Sequence, residues 1–115
     1  MSAFADAGHV LSPERVAELM QAGEVEVIDV REPYEREAGH IEGTRHIELE
    51  RLASNAETLP RDRPIVFHCR LGARSALAAQ AFRRAGYDAW SMHGGLQLWH
   101  DRGLPVAGGG AVADH

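Results

Sequence analysis

The chain alternates short apolar runs with segments whose apolar residues recur at helical spacing. The strand-like runs are 25–30, 65–67 and 87–92, and the helical patterns are 12–23, 49–59, 77–86 and 94–103. Proline and glycine residues separate most of them, as is typical of the ends of such elements. Strands that alternate with helices predict an α/β fold in which a mainly parallel sheet is covered on both faces.

Length and composition limit the chain to one domain. The 115 residues are 44% hydrophobic, enough for a single core. We expect a domain over 9–106, a flexible N-terminus over 1–8 and a flexible, glycine-rich tail over 107–115. No apolar run is long enough to span a membrane, and the first residues lack the pattern of a signal peptide, so we expect a cytoplasmic protein.

Charge argues against nucleic acid as a partner. The formal net charge is −5, whereas a nucleic-acid binder presents a basic surface. The charge is nevertheless uneven, since the stretch 63–87 holds five arginines and no acidic residue. This stretch predicts a site for a small anion. We also expect no membrane partner.

Cys69 is the only cysteine in the chain, and it lies between the apolar run 65–67 and a helical pattern. A single cysteine excludes an internal disulfide and any multi-cysteine zinc site. Two histidines, His40 and His46, lack a third ligand at sensible spacing and are interpreted as loop packing. We therefore expect neither a metal nor a cofactor.

A loop that feeds the start of a helix turns unpaired backbone N–H groups toward one point, and the helix dipole adds partial positive charge there. Gly72 permits a tight curl, because glycine adopts positive φ without a Cβ penalty. With Arg70 and Arg74 close in sequence, these surroundings favour the thiolate form of Cys69. A buried, inert cysteine is the alternative interpretation, but an inert turn would need neither the arginines nor the glycine.

Three separated motifs resemble those of the rhodanese (sulfurtransferase) family. They are Asp29-Val30-Arg31-Glu32 with Tyr34-Glu35 and Gly39-His40-Ile41-x-Gly43; Cys69-x-x-Gly72-x-Arg74-Ser75; and Gly94-Gly95-x-x-x-Trp99-x-x-x-Gly103-x-Pro105. The match runs from about Ser12 to Pro105. The resemblance implies a rhodanese-like, three-layer α/β/α fold with about five strands.

The resemblance also implies a route for sulfur. Cys69 would attack the outer sulfur of a donor such as thiosulfate, become a persulfide, and pass the sulfur to cyanide, a thiol or a sulfur-carrier protein. The residues expected to bind the donor are those of the loop: Arg70, Leu71, Gly72, Ala73, Arg74 and Ser75. Ser75 has two open roles, as a helper at the sulfur or as a helix N-cap.

Three further residues have structural interpretations. In the family, the pair corresponding to Asp29 and Arg31 ties loops together around the site, so we expect it to support the fold. Strand alternation points His68 away from Cys69, which favours core packing or a backbone hydrogen bond.

Other functions stay open at this stage. A cysteine phosphatase or arsenate reductase shares the His-Cys-loop-Arg pattern, but phosphatases related in fold place five residues between Cys and Arg, and here four intervene. A non-catalytic interaction module would usually lose the cysteine. A persulfide relay, loaded by a protein desulfurase, would use the same residues as a thiosulfate enzyme.

Overall fold

A five-stranded sheet forms the centre of the computed structural model, which describes residues 8–109 and 112. The strands are β1 (Val10–Leu11), β2 (Glu26–Asp29), β3 (Arg45–His46), β4 (Ile65–His68) and β5 (Ala89–Met92). They lie in the order β1-β5-β4-β2-β3, and every pairing between them is parallel. The parallel sheet expected from the alternating pattern is confirmed.

Helices cover both faces of the sheet. They are α1 (Pro13–Gln21), α2 (Pro33–Ala38), α3 (Ala73–Arg84) and α4 (Gly95–Asp101), with 3-10 helices at Leu49–Arg51 and Ala53–Thr58. The first helix begins as its sequence predicts, because the Ser12 side chain accepts a hydrogen bond from the Arg15 amide and proline follows at the first helical position.

Alternate residues of the central strands supply two separate cores. Ile28, Phe67 and Phe82 belong to the core on the α3 side, whereas Val27 and Trp99 belong to the core on the α1 and α4 side. Because β4 is buried on both faces, its sequence is continuously apolar up to His68, and β2 is apolar between the half-buried Glu26 and Asp29. This arrangement confirms the three-layer architecture.

Three local features differ from the pattern in the sequence. The helical stripe over 49–59 forms two short 3-10 helices rather than one α-helix, and the two-residue strand β1 is too short to give a periodic signal. On α3 the apolar residues of the pattern over 77–86 lie only partly on the buried face, because Ala78 and Phe82 are buried whereas Leu77 is 62% exposed. In this alanine-rich helix, spacing alone leaves the orientation of the buried face undetermined.

The predicted flexible tail begins at residue 107, but Ala107 is part of the fold. Its backbone exchanges two hydrogen bonds with His40, of 3.1 and 2.7 Å, and Val112 packs against the core on the α1 side. The remaining tail residues 110–111 and 113–115, like residues 1–7 at the other end, lie outside the described residues. Within the described part of the chain, no helix has the length and hydropathy needed to cross a membrane.

Candidate active site

Cys69 directly follows β4, the middle strand of the sheet, and α3 begins four residues later at Ala73. The carboxyl edge of a parallel sheet is where α/β proteins bind ligands. The cysteine is only 1% exposed. A depression of about 210 Å³ opens beside it, lined by the cysteine and by loop residues Arg70, Leu71, Ala73 and Arg74.

Backbone amides converge on the sulfur. Cys69 Sγ accepts hydrogen bonds from the amides of Gly72 at 3.1 Å and Ser75 at 3.4 Å. The loop can close this tightly because Gly72 has a φ of +114°, a conformation in which side chains are strained. Two N–H dipoles and the start of α3 therefore face one sulfur atom, a setting that favours negative charge there.

Arg74 is fixed by a carboxylate far away in the sequence. Its two terminal nitrogens donate to Glu35 Oε1 and Oε2 at 2.7 and 2.9 Å. Burial would raise the pKa of Glu35, but the hydrogen bonds from Arg74 and from the Glu32 amide hold that pKa below its usual value. Glu35 raises the pKa of Arg74 in turn, with a smaller contribution from Cys69. A permanent positive charge thus lies next to the sulfur.

The N-terminus of α4 supports the loop from behind. The amides of Leu96 and Gln97 donate to the carbonyls of Cys69 and Arg70 at 2.8 and 3.0 Å. A side chain on Gly95 would place its Cβ about 2.4 Å from the Arg70 carbonyl oxygen, so only glycine permits this approach. Sequence reasoning recognised the Gly94-Gly95 motif but did not predict this contact.

Asp29 and Arg31 form a buried pair at the end of β2. Asp29 Oδ1 and Oδ2 accept from Arg31 Nε and a terminal nitrogen at 2.9 and 2.8 Å, and Arg31 also donates to the Gly39 carbonyl at 2.8 Å. Burial would raise the pKa of Asp29, but Arg31 keeps it far below its usual value. The pair fixes the strand end to the loop after α2, and His46 Nε2 lies 2.7 Å from the Arg31 carbonyl oxygen.

His68 is fully buried on the Asp29 side of β4. Its Nε2 lies 3.9 Å from Asp29 Oδ2, and among the described residues neither ring nitrogen has a hydrogen-bond partner. Burial lowers the pKa of His68, although the negative charge of Asp29 offsets part of this effect by raising it. The ring is therefore neutral and packed within the protein.

Ser75 contacts the sulfur through its hydroxyl as well as its amide. Its Oγ lies 3.6 Å from Cys69 Sγ and 2.7 Å from Ser91 Oγ. It also lies within donating distance of the Gly72 carbonyl, at 3.2 Å, and Gly72 rather than Ser75 is the N-cap of α3. Ser91, on β5, was missed by sequence reasoning, because nothing in its local sequence distinguishes it from a core strand residue.

Comparison with known proteins places this chain in a family. Residues 12–102 match the family model described as a rhodanese-like domain. The chain is 37% identical over 90 residues to the thiosulfate sulfurtransferase GlpE of Pseudomonas aeruginosa, which covers 77% of this chain and 81% of that protein. The chain therefore belongs to the rhodanese-like family, and its relative GlpE is a thiosulfate sulfurtransferase.

Solved structures agree on the fold. A rhodanese-related protein from Thermoplasma volcanium superposes with a TM-score of 0.80 at 29% identity, covering 86% of this chain and 97% of the other. A protein from Rhodopseudomonas palustris, described as of unknown function and a possible tyrosine phosphatase, superposes with a TM-score of 0.76 at 26% identity, covering 86% and 84%. Proteins described as rhodanese-related and as a possible tyrosine phosphatase thus share this fold. Any distinction between these two functions has to come from the loop around Cys69.

Proposed function

We propose that the protein is a thiosulfate sulfurtransferase that carries sulfur as a persulfide on Cys69. The observation that carries this proposal is the setting of the Cys69 sulfur. It accepts hydrogen bonds from two backbone amides and lies at the edge of a small depression beside Arg70 and Arg74. The relation to GlpE supports thiosulfate as the donor.

The reaction divides into two displacements. The thiolate of Cys69 attacks the outer sulfur of thiosulfate; a new S–S bond forms, the old one breaks, and sulfite leaves with the bonding electrons. Cyanide or another thiophilic acceptor then attacks the outer sulfur of the persulfide, and the thiolate is regenerated. The loop amides stabilise negative charge at the start and end of the cycle, and arginine favours binding of the anionic donor.

Two features of the loop favour sulfur transfer over phosphate hydrolysis. Only four residues separate Cys69 from Arg74, which gives a smaller cradle than the five-residue spacing of related phosphatases. Glu35, the carboxylate that contacts the loop, is held ionised with both oxygens hydrogen-bonded. It therefore has no proton to give to a leaving alcohol.

The test compares two activities of the same preparation. We expect thiocyanate formation from thiosulfate and cyanide to exceed hydrolysis of p-nitrophenyl phosphate. Cys69→Ser should abolish transfer at an unchanged melting temperature, because a hydroxyl of similar size is a poor nucleophile at neutral pH. Turnover by the serine variant, or faster phosphate hydrolysis by the wild type, would overturn the proposal.

One observation favours a protein as sulfur donor or acceptor. Leu71, in the loop beside the cysteine, is 59% exposed, and Tyr34 of α2, which interacts electrostatically with Arg74 and Arg70, is exposed as well. Apolar side chains at the opening suit contact with a macromolecule better than with a small anion. Loading of Cys69 by a cysteine desulfurase faster than by equimolar thiosulfate would establish this relay function, and slower loading would exclude it.

A further inference from the structure

Two buried hydroxyls continue the hydrogen-bond chain away from the sulfur. Cys69 Sγ lies 3.6 Å from Ser75 Oγ, which lies 2.7 Å from Ser91 Oγ. Ser75 is fully buried and Ser91 is 4% exposed. The sulfur-transfer chemistry proposed above assigns no role to Ser91.

The far end of this chain lies at a second depression, here called the rear depression. It has a volume of about 210 Å³ and is lined by residues 8–10 and by Ala76, Ala79, Gln80, Arg83 and Ser91. It shares no lining residue with the depression beside Cys69. A donor anion bound in the depression beside Cys69 would therefore leave the rear depression open to solvent.

We propose that Ser91 is a positioning residue that, through Ser75, connects the Cys69 thiol to solvent in the rear depression. On ionisation the S–H bond breaks and its proton passes to Ser75 Oγ, Ser75 passes its own proton to Ser91 Oγ, and Ser91 passes its own to solvent. One proton leaves in total, and both side chains are hydroxyls again. Their hydrogen bonds then run the other way, with Ser91 donating to Ser75 and Ser75 donating to the thiolate.

Without Ser91 the Ser75 hydroxyl would have a competing use. Ser75 Oγ already lies within donating distance of the Gly72 carbonyl, at 3.2 Å. A hydrogen bond donated by Ser91 polarises the Ser75 hydroxyl and strengthens the bond that its proton makes to the charged sulfur, which then competes better with the Gly72 carbonyl. Ser91 thus stabilises the thiolate without contacting it.

Charged and titratable groups surround this hydrogen-bond chain and are the same in every variant tested. They are Arg70 in the loop, Arg74 of α3 with Glu35 of α2 behind it, His68 of β4, and His9 and Arg83 at the rear depression. None of them is altered by a substitution at Ser91.

The test measures alkylation of Cys69 by iodoacetamide against pH, read by intact mass. Ser91→Thr and Ser91→Val have the same shape and differ only in the hydroxyl. We expect the valine variant to react about threefold more slowly on the acidic side, because the hydrogen bond that it loses joins two neutral hydroxyls and acts on the thiolate only through Ser75. At high pH, where the thiol is fully ionised, its rate should equal that of the threonine variant and of wild type.

Two results would overturn the inference. Identical pH profiles for the threonine and valine variants would show that the hydroxyl has no role. An equal loss of rate at every pH in both variants would show that Ser91 only packs. Ser91→Ala provides a second hydroxyl-free chain, and Ser54→Ala, on an exposed 3-10 helix, controls for removing a serine elsewhere. Alkylation needs no sulfur donor, so the result is independent of whether the chain transfers sulfur from thiosulfate.

Discussion

Glu35 lies 39 residues before Arg74 in the chain, yet its carboxylate binds both terminal nitrogens of that arginine. The carboxylate also accepts from the Glu32 amide at 2.9 Å, which fixes it at the start of α2. One acidic residue therefore determines where the positive charge beside Cys69 lies. Its own charge balances that of Arg74, which explains how a buried carboxylate is tolerated here.

Glu35→Gln tests this role. We expect the free energy of unfolding to fall by about 1–3 kcal/mol, because Arg74 loses charged hydrogen bonds in a partly buried place. The value of kcat/KM for thiosulfate should fall as well, since Arg74 is then free to turn away from the sulfur. Chemical denaturation and steady-state kinetics measure both effects.

Glu37→Gln is the matched control, because Glu37 is an exposed residue of the same helix. It should change neither quantity measurably. If the Glu35 and Glu37 variants behaved alike, the ion pair would have no part in positioning Arg74.

The residues of this site differ in how far sequence could predict them. Cys69, Gly72 and the start of α3 form a local strand-turn-helix, which the apolar run 65–67 and the helical pattern that follows the loop are enough to predict. Glu35 is 39 residues from Arg74 in the sequence and Ser91 is 16 residues from Ser75, and the fold brings each pair into contact. A local sequence pattern does not predict contacts between residues so far apart. The sequence therefore predicts the loop but not the side chains that orient it.

At the scale of elements, α4 and the cysteine loop form one unit. The first amides of α4 donate to two loop carbonyls, and Gly95 lies against the backbone of Cys69 and Arg70. Gly95→Ala should lower both the melting temperature and the rate of transfer. The added Cβ would meet backbone atoms at about 2.4 Å, and these cannot move without opening the cradle.

Gly103→Ala separates this contact from backbone strain. Gly103 also has a positive φ, of +77°, but a Cβ there meets nothing within 4 Å. We expect it to lower the melting temperature modestly and to leave the rate unchanged in a thiocyanate assay. Equal loss of activity in both variants would mean that backbone strain, not contact with the loop, explains the effect.

The buried face of α3 gives a second prediction for an element. Phe82 packs between the rings of Phe67 and Tyr87, with centroid distances of 5.1 and 4.9 Å. Phe82→Ala should destabilise the protein by about 3–5 kcal/mol, as is usual for truncating a buried phenylalanine. Leu77→Ala, on the exposed face of the same helix, should change stability by less than about 0.5 kcal/mol. Denaturant titration of both variants checks this assignment of faces, and the reverse order would contradict it.

Elements were predictable where the sequence shows a clear apolar run or a helical period. The central strands and α1 carry such patterns, whereas β1 has two residues and depends on pairing with β5. The bridge between His40 and Ala107 depends equally on a distant partner, so the glycine-rich composition after it suggested a flexible tail. Short elements are fixed by tertiary contacts, which a linear pattern does not contain.

At the scale of the whole molecule, the parallel sheet brings the ends of β2, β4 and β5 to one edge. Asp29 ends β2, Cys69 follows β4, and α4 begins after β5. Because these strands are adjacent in the order β5-β4-β2, their loops form a single site. The same packing buries Asp29, Glu35 and His68 close to it.

These buried groups predict how stability depends on pH. Burial lowers the pKa of His68 below its ordinary 6.5, so the unfolded chain takes up a proton that the folded chain refuses. Stability should therefore fall as the pH decreases from about 6.5 toward the folded pKa, by about 1.4 kcal/mol per pH unit at most. Asp29 and Glu35, whose pKa values are also lowered, should cause a further loss once the pH falls below about 4.

His68→Leu should remove the upper part of this loss and leave the lower part. Melting temperatures across this pH range, for the variant and the wild type, measure both parts. An unchanged loss between pH 6.5 and 5 in the leucine variant would show that another group is responsible.

The central claim is that Cys69 carries sulfur, and intact-mass measurement tests it most directly. Wild type and Cys69→Ser are incubated with thiosulfate and measured before and after cyanide is added. The account predicts that only the wild type gains the mass of one sulfur atom, and that cyanide removes it. An adduct on the serine variant, or no adduct on the wild type, would contradict it.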